Sequence, residues 1–167
     1  KILRYKQWCG LDTNRFVDVD AAAHVVARRQ HLELAKTIAR RSVTVLGNES
    51  GILPLNGLNG KKVLDIVFSD TEDPDAADDL HDELSLRKRM ELVRIDPRSN
   101  QMEYDEVLKK AKVADLIICQ FMFYTRSEAM SGFSPKKVVE LMNVIASLKK
   151  PVIGISTGNP YIAMDFP

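Results

Sequence analysis

KKVLDIVFSD, residues 61–70, is the stretch on which the fold turns. Residues 63–68 are apolar at every position except Asp65. A strand with one face in water alternates apolar and polar side chains. A continuous apolar run of this length instead fits a strand covered on both faces, as in a parallel sheet. The flanks set its limits. Residues 48–60 carry Gly51, Pro54, Asn56, Gly57, Asn59 and Gly60, a loop composition. On the other side, Asp73-Pro74 reads as a helix N-cap followed by proline at the first helical position.

The alternation continues downstream. Ala76, Leu80 and Leu84 share one face of the helix behind Pro74. Residues 92–95 form a short strand that Asp96-Pro97 ends. Tyr104, Val107, Leu108 and Ala111 recur at helical spacing, and residues 116–119 read as a buried strand. Ser134-Pro135 opens a helix whose apolar stripe is Val138, Leu141, Met142, Ile145 and Leu148. Residues 151–155 are the next strand. Strands alternating with helices require crossover connections and a mostly parallel sheet. Right-handed crossovers place helices on both of its faces. The expected fold is α/β, a three-layer sandwich.

Upstream, residues 20–41 are rich in Ala, Leu, Arg and Glu, good helix formers, with Asp20 as a suitable N-cap. Residues 42–46, SVTVL, are β-branched and fit either a strand or the end of that helix. Residues 1–8 read as the tail of a helix stopped by Gly10, and residues 14–20 as a linker. The expectation is a piece of a longer protein. Residues 1–19 would be the end of a preceding domain and its linker, and residues 20–167 the sandwich, cut before its last elements.

Bulk properties exclude several classes. The 167 residues are enough for one domain with a real core. Composition is 45% hydrophobic and 28% charged, which is ordinary for a soluble domain. A net charge of +1 argues against non-specific nucleic-acid binding, which needs a basic excess. No apolar run approaches the roughly 20 residues of a membrane span. Cys9 and Cys119 fit no metal-ligand spacing, and His24, His31 and His81 fall in helical stretches without a ligand pattern. No cofactor or metal is expected.

In open parallel sheets ligands bind beyond the carboxyl ends of the strands. Residues 69–75, 96–101, 120–134 and 156–161 occupy such ends. The first, SDTEDPD, could gather a divalent cation through Asp70, Glu72, Asp73 and Asp75, or serve as a helix cap in a solvated loop; the cap is the better reading. The glycines of NGLNGKK precede a strand, whereas a phosphate-cradling loop must follow one. The longest loop, QFMFYTRSEAMSGFS, holds Phe121, Phe123, Tyr124 and Phe133 with Arg126 and Glu128 among them. Such a loop can form a sugar-stacking surface or lid, or its aromatics can pack beneath it.

Several stretches together resemble the C-terminal α/β sandwich of glycoside hydrolase family 3. KILRYKQWCGLDTNRFVD resembles the junction where that family's last barrel helix meets its linker. HLELAKTIARRSVTVLGNESGILPL resembles its signature helix and "LPL" turn, and KKVLDIVFSD its next strand. KKPVIGISTGNPYIAMDFP resembles a later strand with its Gly-Asn-Pro-Tyr turn. The resemblance implies an N-terminal barrel of the same chain that binds carbohydrate and carries an aspartate nucleophile. In β-glucosidase-like members the acid/base is a glutamate in a loop reading Tyr-Thr-Glu. Here the matching residues are Tyr124-Thr125-Arg126, and arginine, with a pKa above about 12, cannot be a general acid. The β-N-acetylglucosaminidase branch takes its acid/base from a barrel loop instead. The resemblance therefore implies a retaining β-N-acetylhexosaminidase parent acting on terminal N-acetylglucosamine of peptidoglycan- or chitin-derived saccharides. No catalytic residue would lie in this segment, Arg126 and Tyr124 would face the substrate, and the segment alone would be inactive.

Two alternatives stand beside it. Glu128 could take the acid/base role after a loop shift, which would make the parent a β-glucosidase or β-xylosidase. Alternatively, the chain is a stand-alone flavodoxin-like binding or receiver module, whose support is the acidic SDTEDPD loop.

Overall fold

A computed structural model describes residues 1–16, 18–124 and 136–164. The chain divides into two compact units, Lys1–Ser50 and Gly51–Pro167. The first consists of helices α1 (Ile2–Trp8), α2 (Val19–Val25) and α3 (Arg29–Ser42). Gly10, at φ 71°, ends the α1 region in the left-handed conformation that glycine adopts without strain.

The single helix expected over residues 20–41 is broken. Asp18, not Asp20, is the cap, with its Oδ1 accepting the Ala21 N–H at 3.0 Å. The break falls at Val26-Ala27-Arg28, where Ala27 has φ 55°. Val25 and Val26 are consecutive β-branched residues, which lose rotamer freedom in a helix. Residues 43–46 belong to neither helix nor strand.

The second unit is the α/β layer structure. Its strands are β1 (Val63–Ser69), β2 (Glu91–Ile95), β3 (Leu116–Met122) and β4 (Val152–Ser156). They form one all-parallel sheet in the order β2-β1-β3-β4. The intervening helices are α4 (Asp78–Ser85), α5 (Gln101–Val113) and α6 (Lys136–Ser147). The chain steps one way from β1 to β2, then the other way to β3 and β4. Right-handed crossovers then put α4 on one face and α5 with α6 on the other.

The core shows this arrangement. Leu64, Ile66 and Phe68 of β1 pack with Val107 and Ala111 of α5 and with the buried stripe of α6. On the opposite face Val63, Leu116 and Ile118 meet Leu84 of α4 and Ile52, Leu55 and Leu58 of the preceding loop. Every residue of β1 is buried, as its unbroken apolar run requires. Phe68 stacks on Phe121 across β1 and β3, ring centroids 5.4 Å apart.

Helix α5 starts with a reciprocal capping box. Asn100 Oδ1 accepts the Met102 and Glu103 N–H groups, and Glu103 Oε2 accepts the Asn100 N–H at 2.8 Å. Helix α4 starts later than expected. Asp73 Oδ1 accepts the Asp75 N–H at 3.0 Å and closes a local turn, and Ala77, at φ 66°, precedes the helix. Asp73 therefore caps a turn rather than a helix. Ser134-Pro135, the expected start of α6, lies outside the described residues.

The two thiols differ in environment. Cys9 is exposed and Cys119 is buried in β3. Burial, reinforced by the Asp65 carboxylate, pushes the Cys119 thiol up to about 12. A thiol-reactive reagent at mildly alkaline pH is expected to modify one cysteine, Cys9, in the native chain and both after unfolding; two native thiols of equal rate would contradict this burial. The folded chain retains the Cys119 proton where the unfolded chain releases it. Its contribution to stability is complete below about pH 9 and is lost as pH rises towards about 12.

Candidate functional site

The strand order reverses direction between β1 and β3, so the loops leaving their carboxyl ends diverge there, at the position where open parallel sheets bind ligands. Ser69 ends β1, and its Oγ bonds both the Thr71 hydroxyl at 3.0 Å and the Thr71 N–H at 3.1 Å. This tight turn presents Asp70. The Tyr124 backbone N–H, just beyond β3, donates to Asp70 Oδ2 at 3.2 Å. The Asp70 carboxylate thus ties the rim of one central strand to the next. Tyr124 is half exposed, at 52%.

The GNPY segment is built onto the same edge. The Thr157 N–H donates to Phe121 O at 3.3 Å, and the Asn159 N–H to Phe123 O at 2.8 Å. Asn159 is buried, and its Oδ1 accepts the Tyr161 N–H at 3.0 Å. Gly158 lies so close to Phe123 that an added Cβ would overlap the Phe123 carbonyl oxygen. Beyond β2, Arg98 donates to Asp96 Oδ2 at 2.6 Å and to Glu72 O at 3.3 Å. The Arg98 guanidinium holds the Asp96 carboxyl below its ordinary range. The edge therefore carries carboxylates from two loops, one of them paired with Arg98, and a half-exposed phenol. Among the described residues no three His, Cys, Asp or Glu side chains gather as a metal site.

Of the substrate-facing residues expected from the sequence, Tyr124 lies at this rim. Arg126 and Glu128 lie outside the described residues.

A second polar cluster was not anticipated as a unit. Asp65, fully buried in β1, accepts from His81 Nδ1 at 2.7 Å. It also accepts from Gln120 Nε2, at 3.0 Å on Oδ1 and 2.8 Å on Oδ2. His81 Nε2 lies 3.2 Å from Ser85 Oγ. A carboxylate only accepts, so the Asp65 contacts fix His81 Nδ1 as a donor and turn the Gln120 amide nitrogen inward. The Ser85–His81–Asp65 spacing is that of a nucleophile, base and orienting acid. Acyl transfer also needs N–H donors where an oxyanion forms. Ser85 instead closes the last turn of α4, where carbonyl oxygens point outward and disfavour an anion. The cluster acts as a buried polar tie between α4 and the two central strands. The interruption of an apolar strand by Asp65, with His81 and Gln120 downstream, was its signal in the sequence.

No family model matches this chain, and no curated protein does. Among solved structures it is similar in fold to a protein described as "Beta-glucoside phosphorylase BglX", at a TM-score of 0.50 and 22% sequence identity. The likeness covers 83% of this chain and 25% of that one, so this chain spans about a quarter of that protein's length. What the two are shown to share is an α/β fold.

Proposed function

We propose that this chain is the α/β sandwich region of a glycoside hydrolase family 3 enzyme, and that it supports a catalytic barrel domain of the same protein. Residues 1–19 are then the last barrel helix and linker, and residues 20–167 belong to the sandwich. The observation that carries the reading is the fold likeness to a protein named for β-glucosides, over 83% of this chain. The family-like segments of the sequence agree with it. So does the exposure of Trp8, at 83%, with Leu3 and Phe16 also exposed, which suits a junction that packs against another domain.

Within that reading the parent is a retaining β-N-acetylhexosaminidase. Arg126 stands where a glutamate acid/base would be needed, so the proton donor comes from the barrel. Tyr124, held by Asp70 at the carboxyl edge, and Arg126 then form part of the cleft rim rather than of the reacting pair. The name of the similar structure favours a second reading, a β-glucoside-directed parent in which Glu128 is the acid/base.

A paired assay of the full-length parent on aryl β-N-acetylglucosaminide and aryl β-glucoside separates the two. Preference for the N-acetyl sugar, with Glu128→Gln leaving kcat within about threefold, is the expected result. Preference for the glucoside, with a Glu128→Gln loss of about 10²-fold or more restored by azide, would install the second reading instead.

A further inference from the structure

The net charge of +1 conceals a polar distribution. At the carboxyl end of the sheet, residues 70–75 and Asp96 are acidic. The opposite end is basic. Because all four strands are parallel, the segments entering them lie at one pole: GKK (60–62) before β1, LRKR (86–89) before β2, KV (112–113) before β3 and KK (149–150) before β4. These carry eight Lys and Arg side chains along a row of three inter-strand spacings, roughly 14 Å. A groove at this pole brings Lys61, Lys62, Lys88 and Arg89 together. None of these four forms an ion pair among the described residues. Of the nearby carboxylates, Glu91 pairs with Lys110 at 3.0 Å and Asp115 accepts the Lys62 N–H at 2.8 Å, while Asp79, Asp82 and Glu83 of α4 lie beside Leu86; of the eight cations, Lys150 donates to Ala114 O at 2.5 Å.

Two apolar side chains protrude from the same pole. Leu86, after α4, is 81% exposed, and Val113, at the end of α5, is 61% exposed. Each adjoins a cation, Arg87 and Lys112 respectively. Single-stranded nucleic acid would call for aromatic stacking platforms, and the four entering segments hold none. A soluble polyanion would use the cations and leave the aliphatic tips in water. An anionic bilayer uses both, because clustered Lys and Arg meet the headgroups while apolar tips enter the interface. We propose that this basic pole is a docking surface for an anionic lipid bilayer. The attachment is peripheral, since no helix among the described residues is long and apolar enough to cross a membrane. It is independent of the glycosidase reading, because it uses the end of the sheet opposite the candidate site.

The test is sedimentation of the whole chain with vesicles of phosphatidylcholine alone or with about one-third phosphatidylglycerol. Binding is expected only to the anionic vesicles, and weaker at high salt. The triple variant Arg87→Glu, Lys88→Glu, Arg89→Glu should lose about a hundredfold in vesicle affinity, and Leu86→Glu about tenfold, with far-UV circular dichroism unchanged. Lys136→Glu, at the other end of the sheet, should bind as the parent chain does. No binding to anionic vesicles, or equal binding to neutral ones, would overturn the proposal. So would full binding by the triple variant. Binding to heparin or duplex DNA as tight as to vesicles, unaffected by Leu86→Glu, would reassign the pole to a soluble polyanion.

Discussion

Replacing His81 with Leu is expected to lower the unfolding free energy by about 3–5 kcal/mol, a large share of a domain's stability. The reason is the carboxylate left behind. Asp65 is fully buried, with His81 and Gln120 as its side-chain donors. Removing the imidazole leaves a buried charge served by one amide, and a buried charge short of partners is far more costly than an absent pair. The measurement is chemical denaturation followed by far-UV circular dichroism, comparing midpoints at constant slope. The triple variant Asp65→Val, His81→Leu, Gln120→Leu provides the control. It removes the whole polar set and should recover much of the loss, because replacing every member of a buried hydrogen-bonded set by apolar groups leaves no polar atom without a partner. A His81→Leu chain as stable as the parent would show that α4 is not tied to the sheet through Asp65.

Gly158→Ala is expected to destabilise by about 1–3 kcal/mol, through overpacking against backbone. The added Cβ would overlap the Phe123 carbonyl oxygen and lie 2.8 Å from its carbon. Neither atom can swing aside as a flexible side-chain tip does. The strand ends must separate, which strains the Asn159 N–H to Phe123 O bond and displaces Tyr124 next to it. Gly154→Ala is the matched comparison. There the nearest atom is Phe121 Cε2 at 3.5 Å, ordinary contact, so the change should stay within about 0.5 kcal/mol. Equal effects at the two glycines would remove the close approach as the explanation.

Much of the candidate site was visible before the structure. The carboxyl-edge position of residues 69–75 and of Tyr124 follows from strand identity alone, because parallel topology sends every such loop to one end. What could not be seen was the pairing: that Asp70 would hold the Tyr124 N–H, or that Asp65 would meet residues sixteen and fifty-five positions away. Those partners are set by which strands become neighbours. Residue types within a loop do not encode it.

The sequence by itself determined the α/β class and where each strand and the helices packing on the sheet lie, but it ended the third strand at residue 119, whereas β3 runs on to Met122 and takes Gln120 and Phe121 out of the expected loop and into the buried sheet. Continuous apolar runs and helical stripes are local properties, and burial follows from them directly. Tertiary structure alone decided the order β2-β1-β3-β4 and the need for glycine at 158, whereas the break at Ala27 and the late start of α4 are local outcomes that residue types left open. Each depends on atoms distant in the chain or on a competition between local conformations of similar energy. Asp18 caps α2 where Asp20 was the expected cap, and Asp73 closes a turn where it was expected to cap α4; candidate caps a residue or two apart differ too little in strength for residue type to choose between them.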